Sequence, residues 1–165
     1  MVESRKARYE RIRNEYGPAL ARVIRSYARS GSDEEDLAQD IALALWNALP
    51  RFRGECSERA FVLRVAHNRG LNHLWRRKNP ESLPEELVDP APHPDAQTQR
   101  REDVDRLFTA IRSLSPPLRQ VLTLALEELP HAEIAAALGI SEGNVAVRLT
   151  RARSALRSLL KEEVP

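Results

Sequence analysis

An all-α protein made of two small helical domains is predicted, on three observations. Apolar residues recur at helical spacing through most of the chain, no segment shows the period-two alternation of a strand, and an acidic, Pro-rich interval interrupts the pattern in the middle. The domains are expected at residues 1–78 and 103–165, with 79–102 as a flexible linker. Domains this small bury only modest cores, which favours a protein that works against partners.

In the first domain, Ile12, Tyr16, Leu20, Val23, Ile24 and Tyr27 predict a helix over 3–29, with Pro18 expected to kink it or to start a second one. Ser32, with Glu35 three residues on, has capping-box spacing for a helix running to about residue 49, where Pro50 ends it. After the loop string RFRGECS, Ser57 suits the cap of a helix over 58–78, whose apolar positions are Phe61, Val62, Val65, Leu71, Leu74 and Trp75. Prolines 80, 84, 90, 92 and 94 then preclude a regular helix. Four helices are expected beyond them, at 103–113, 116–128, 131–138 and 142–161.

A composition 42% hydrophobic and 30% charged fits a folded, water-soluble protein with no membrane insertion. The opening string MVESRKARYERIR lacks the apolar core of a signal peptide, so the expected location is the cytoplasm. The single cysteine, Cys56, excludes an internal disulfide framework. Charge is segregated: residues 1–78 carry 16 basic against 10 acidic side chains, 79–105 carry 2 against 8, and 106–165 carry 8 against 6. Two basic domains around an acidic tether point to nucleic acid, although charge runs alone are often only solvated faces.

The string LPHAEIAAALGISEGNVAVRLTRARSALRSLL has the layout of a helix-turn-helix. Ala135 is small where two helices cross, Gly139 suits the left-handed turn, and Ile134, Leu138, Ile140 and Val145 form an apolar seam. On the last helix Val145, Leu149, Ala152 and Leu156 make the inward stripe. Asn144, Val147, Arg148 and Arg151 are left on the opposite face, where a helix in the major groove needs base-reading and phosphate-binding side chains.

From about residue 103 onward the chain resembles the promoter-binding domain called region four of sigma factors, and residues 1–78 resemble region two. The order is that of the extracytoplasmic-function (ECF) group. The resemblance implies a subunit that binds core RNA polymerase and directs it to promoters, with region two opening the minus-ten element and region four binding the minus-thirty-five element. In DEEDLAQDIALALWNAL, Asp36, Gln39 and Asp40 match positions that grip a coiled coil of the polymerase's largest subunit. Spacing supports this, since Leu37, Ile41, Ala44, Leu45 and Ala48 form the buried side and leave these acceptors outward.

RFRGECSERAFVLRVAHNRGLNHLWRRK resembles the family's promoter-melting element. Phe52, Arg53 and Gly54 match its loop, and Asn68 and Asn72 match helix positions where some members read unstacked bases. Arg76, Arg77 and Lys78 suit the nearby DNA backbone. For the two asparagines a buried, hydrogen-bonded role in the core stands as the alternative. The recognition helix departs from the family pattern in having Ala146, which lacks a phosphate contact, and Val147, which suits a thymine methyl.

The resemblance further implies an anti-sigma factor as partner, and a linker that either mimics nucleic acid by its negative charge or serves as an inert tether. No cofactor is expected. His67, His73, His93 and Cys56 match no common zinc spacing, and no phosphate loop or nucleophile motif argues for an enzyme. The rival reading is a free-standing helix-turn-helix regulator that ignores polymerase; the region-two strings argue against it.

Overall fold

The computed structural model describes residues 2–78 and 98–162. Helix α1 spans Arg5–Arg25, α2 Gly31–Ala48, α3 Glu58–Lys78, α4 Thr98–Ser113, α5 Pro116–Leu126, α6 His131–Leu138 and α7 Glu142–Glu162. A 3-10 turn at Leu49–Arg51 follows α2.

α1 runs through Pro18 as one helix, so the proline starts no second one. A proline removes one main-chain donor, and here Ile12 before it and Ala19, Leu20 and Val23 after it are all buried, so packing holds both halves in one helix. The helix ends before the predicted residue 29. The Ser26 N–H returns to Arg22 and Val23, those of Tyr27 and Ala28 return to Ile24, and Tyr27 and Ala28 turn into the core.

α2 is capped by Ser30, whose hydroxyl accepts from the Asp33 N–H at 3.2 Å, and not by Ser32. The Asp33 carboxylate in turn accepts the Arg29 N–H at 2.9 Å, which fixes the earlier start. Ser57 caps α3 as expected, accepting from the Ala60 N–H at 3.1 Å. The three helices pack together around Ile12, Val23, Tyr27, Leu37, Leu49, Val62 and Leu63. Gly70 is where α3 meets the Tyr27 ring; a Cβ there would lie 2.6 Å from the ring's Cγ.

In the second half α4 begins at Thr98, inside the stretch expected to be linker. α5 ends in a Schellman turn: Glu128 takes φ 63°, its N–H returns to Ala125, and the Leu129 N–H returns to Leu124. Gly139 takes φ 65° after α6, and the Ile140 N–H reaches Ala135 at 3.1 Å, as the turn reading required. Val121, Leu124, Ile134, Val145, Leu149 and Ala152 form this half's core.

The halves are docked, with α3 lying against α5 and α6. The seam is polar and paired. Glu127, nearly buried, takes a two-pronged ion pair from Arg22 (Nη2–Oε2 2.8 Å) and a third bond from Arg59 (3.3 Å). Buried Arg119 lies over the Tyr27 ring and donates to the carbonyls of Ser26 and Leu114. The Ser57 N–H donates to Glu133 of α6 at 3.0 Å, and Arg25 pairs with Asp105.

Candidate polymerase and nucleic-acid interfaces

On α2 the buried side is Leu37, Ile41, Ala44 and Leu45, with Ala48 half-buried. Asp36 and Gln39 are exposed on the other side. Asp40 is half-exposed and paired with Arg76 of α3 at 3.4 Å, so this carboxylate already has a cation. Leu43, one turn beyond Asp36, Gln39 and Asp40 on the same face, is 62% exposed. Sequence reasoning passed over it. The signal was present, because an apolar residue at i+7 from Asp36 cannot share the Leu37–Ile41 stripe.

Along α3, Asn68 and Asn72 are both exposed, which removes the buried-core alternative for the pair. Phe52 of the preceding loop instead packs on Phe61 of α3, with ring centroids 4.5 Å apart, and the Arg8 guanidinium lies over it. Its ring thus closes the end of the core. Gly54 takes φ 81°, which turns the loop, and Arg53 beside it is exposed.

Trp75, expected among the inward residues, is 67% exposed. Gly70, Leu71 and Leu74 occupy the inward side at this end, so position 75 follows the asparagine face. The three cations that follow differ. Arg76 pairs with Asp40, Arg77 turns inward to pair with Asp33 and Lys78 is exposed. Burial disfavours the Arg77 charge, with Arg29 and Arg112 adding repulsion, and an arginine so engaged is a buttress of the α2 start rather than a ready phosphate ligand.

In the helix-turn-helix, Ser141 caps α7 by accepting from the Asn144 N–H at 3.1 Å. Asn144, Val147 and Arg151 are exposed and Arg148 is half-buried, while Val145, Leu149 and Ala152 face inward. Leu156 is only partly buried. Val147 puts an apolar side chain, 48% exposed, in the middle of the polar face.

His67 and His73 are buried and serve the fold. His67 is fully buried, with Tyr27 Oη 3.0 Å from Nδ1 and Thr123 Oγ1 2.9 Å from Nε2. The Thr123 hydroxyl donates to the Arg119 carbonyl, so it accepts from Nε2–H, and Nδ1 accepts from the tyrosine. Burial, reinforced by Arg119, pushes the imidazole down to about 3 and keeps it neutral. Cys56 is half-buried and free. His93 and most of the acidic linker lie outside the described residues. Among the described residues no group of three potential ligands is poised to hold a metal, and no helix is long and apolar enough to cross a membrane.

Two family models match the chain: "Sigma-70 region 2" over residues 12–79 and "Sigma-70, region 4" over 105–156. The RNA polymerase sigma factor NccH of Alcaligenes xylosoxydans xylosoxydans is 30% identical over 156 residues, covering 88% of this chain and 83% of NccH. The ECF RNA polymerase sigma factor SigG of Mycobacterium tuberculosis is 34% identical over 163 residues, covering 81% of this chain and 44% of SigG. The solved structure of CnrH in complex with the cytosolic domain of CnrY superimposes with a TM-score of 0.70 at 25% identity, over 97% of this chain and 91% of that one. With most of α1 and all of α2 and α3 inside one match, and α6 and most of α7 inside the other, the chain belongs to the RNA polymerase sigma factors of the ECF type, which bind core polymerase and direct initiation at promoters.

Proposed function

We propose that the three exposed faces divide the labour of initiation. The α2 face of Asp36, Gln39, Asp40 and Leu43 docks on core polymerase, with Leu43 as an apolar anchor among hydrogen-bond acceptors. The α3 face of Asn68 and Asn72, with Arg53 and Lys78 beside it, receives the opened strand of the minus-ten element. The α7 face of Asn144, Val147, Arg148 and Arg151 binds the minus-thirty-five duplex. The observation that carries this reading is the exposure of Asn68 and Asn72 on a helix whose apolar side is otherwise buried.

Two elements 25 base pairs apart lie about 85 Å apart along duplex DNA. A compact body of this size has a radius of gyration of about 15 Å. The docked halves therefore part at the promoter, and the stretch 79–97, at most about 65 Å when extended, supplies the reach between α3 and α4. The tether is thus the stretch 79–97, shorter than the 79–102 expected from the sequence because α4 begins at Thr98.

The chain acts without chemistry of its own, in the cytoplasm beside its polymerase, and an anti-sigma factor that covers these faces is its expected regulator. Run-off transcription with purified core polymerase on random-sequence templates tests the reading. Promoter-specific start sites that depend on this chain are expected. Repression without initiation would instead mark a free-standing regulator.

A further inference from the structure

We propose that the cleft between the end of α1 and the start of α4 binds the phosphates of a small polyphosphorylated compound, and that a ligand held there locks the two halves together. The locking rests on the parting of the halves at the promoter argued above; the site itself does not. The cleft has a volume of about 350 Å³ and is lined by Arg25, Arg100, Arg101, Val104 and Asp105. That volume suits a small molecule. Three of its four charged side chains are arginines, and the one carboxylate, Asp105, is already paired with Arg25.

α4 holds Arg25 in place. The Arg25 guanidinium lies 4.6 Å over the Phe108 ring, and its carbonyl accepts from Arg112 Nη1 at 2.9 Å. Arg100 and Arg101 stand in the first turn of α4, which carries no acidic residue. Cations there oppose the helix dipole, and both are exposed and without an ion pair among the described residues. Further along α4, burial and repulsion from Arg25 and Arg29 disfavour the half-buried Arg112 charge, against a partial offset from Asp105 and Glu34. An anion at the helix start relieves each of these strains, and phosphate oxygens match several guanidinium forks at once. The cleft draws on α1 from one half and α4 from the other, so it is whole only while the halves are docked. Promoter DNA engages the parted halves, which leaves a small compound as the source of the phosphates. A ligand that binds only the docked form opposes the parted one by mass action.

The test titrates the full chain with inorganic tripolyphosphate by calorimetry, and one site per chain is expected. The double variant Arg100→Gln/Arg101→Gln should bind about tenfold more weakly with an unchanged melting temperature, whereas Arg157→Gln, which removes an exposed cation from α7, should bind as wild type does. Promoter binding by holoenzyme is then measured in magnesium-free buffer on a promoter recovered from the run-off experiment. Tripolyphosphate at ten times its dissociation constant should weaken wild-type promoter binding about tenfold, and that of the double variant only about twofold at the same concentration. No binding to the wild-type chain, equal binding by the double variant, or an equal loss from Arg157→Gln would overturn the site. So would weaker promoter binding by the double variant without tripolyphosphate, because the two arginines would then serve DNA. A site that titrates as expected while promoter binding ignores the ligand would instead overturn the locking, together with the parting of the halves on which it rests.

Discussion

His67 of α3 donates a hydrogen bond to Thr123 of α5 across the seam between the two halves, with no exposure to solvent. Its folded proton affinity lies far below that of an unfolded histidine, near 6.5, so the unfolded chain binds the extra proton between those values. Stability therefore falls as pH drops below about 6.5, by up to about 1.4 kcal/mol per unit from this group. His73, also held down by burial, acts in the same sense, while Glu58, Glu127 and Glu133, held below the carboxylate range by their donors, add losses at lower pH. Urea titrations at pH 7.5, 6.0 and 5.0 should show this decline, and His67→Gln should flatten it. A slope unchanged in that variant would contradict the buried neutral imidazole.

Glu127 joins Arg22 and Arg59 at the same seam. Both arginines are about half exposed, so the pairing is screened and Glu127→Ala should cost about 1–2 kcal/mol rather than the full amount for a buried pair. The change should also loosen the docking. Small-angle scattering of the free protein is expected to show a larger radius of gyration than wild type, and an identical profile would mean that other contacts suffice.

Two glycine substitutions should have opposite signs. At Gly70 a methyl group collides with the Tyr27 ring, so Gly70→Ala should destabilise by about 1–3 kcal/mol and disturb the Tyr27–His67 bond. At Gly31, the first residue of α2, a Cβ meets nothing within 4 Å, and alanine should stabilise by about 0.4–1 kcal/mol. Thermal melts of the two variants compare them directly.

Much of this fold is legible because it is local. Ser57 before α3, Gly139 after α6 and the Val145–Leu149–Ala152 stripe of α7 each declare themselves within a few residues. The α2 start was ambiguous in kind: Ser30 with Asp33 and Ser32 with Glu35 are equally good pairs, and only the bond from the Arg29 N–H to Asp33 decides between them. The seam was illegible. His67, Arg119, Thr123 and Glu127 are polar residues on helices that read as amphipathic without them, and their partners lie far away in sequence. For the same reason the candidate faces could be read from spacing, but the Asp40–Arg76 and Asp33–Arg77 pairs could not.

Leu43 tests the polymerase face. An exposed leucine contributes little to the fold, so Leu43→Ala should leave the melting temperature within about a degree. An apolar anchor at an interface typically costs more than about 1 kcal/mol when truncated. Core affinity measured by competition should then fall about tenfold, and more with Asp36→Ala added. Undiminished affinity in a folded double variant would move the polymerase contact elsewhere.

On α7 the neighbouring cations should separate by kind of effect. Arg151 is exposed and lies a full turn further from the N-terminus of the helix than Val147, which suits a phosphate, so Arg151→Ala should weaken binding to all upstream sequences alike and lower the salt dependence by about one counterion. Arg148 is half-buried and nearer the helix start, so its reach is more constrained, and Arg148→Ala should relax preference at one base pair by about 1–3 kcal/mol. Val147 offers only a methyl surface, which can favour thymine through its C5-methyl group but cannot hydrogen-bond any base. Val147→Ala should thus weaken thymine at one position and leave the salt slope unchanged. Holoenzyme binding to upstream-element duplexes with each base pair varied in turn, at several salt concentrations, separates the three effects. Equal loss on every sequence from all three variants would mean that α7 holds the backbone without reading the groove.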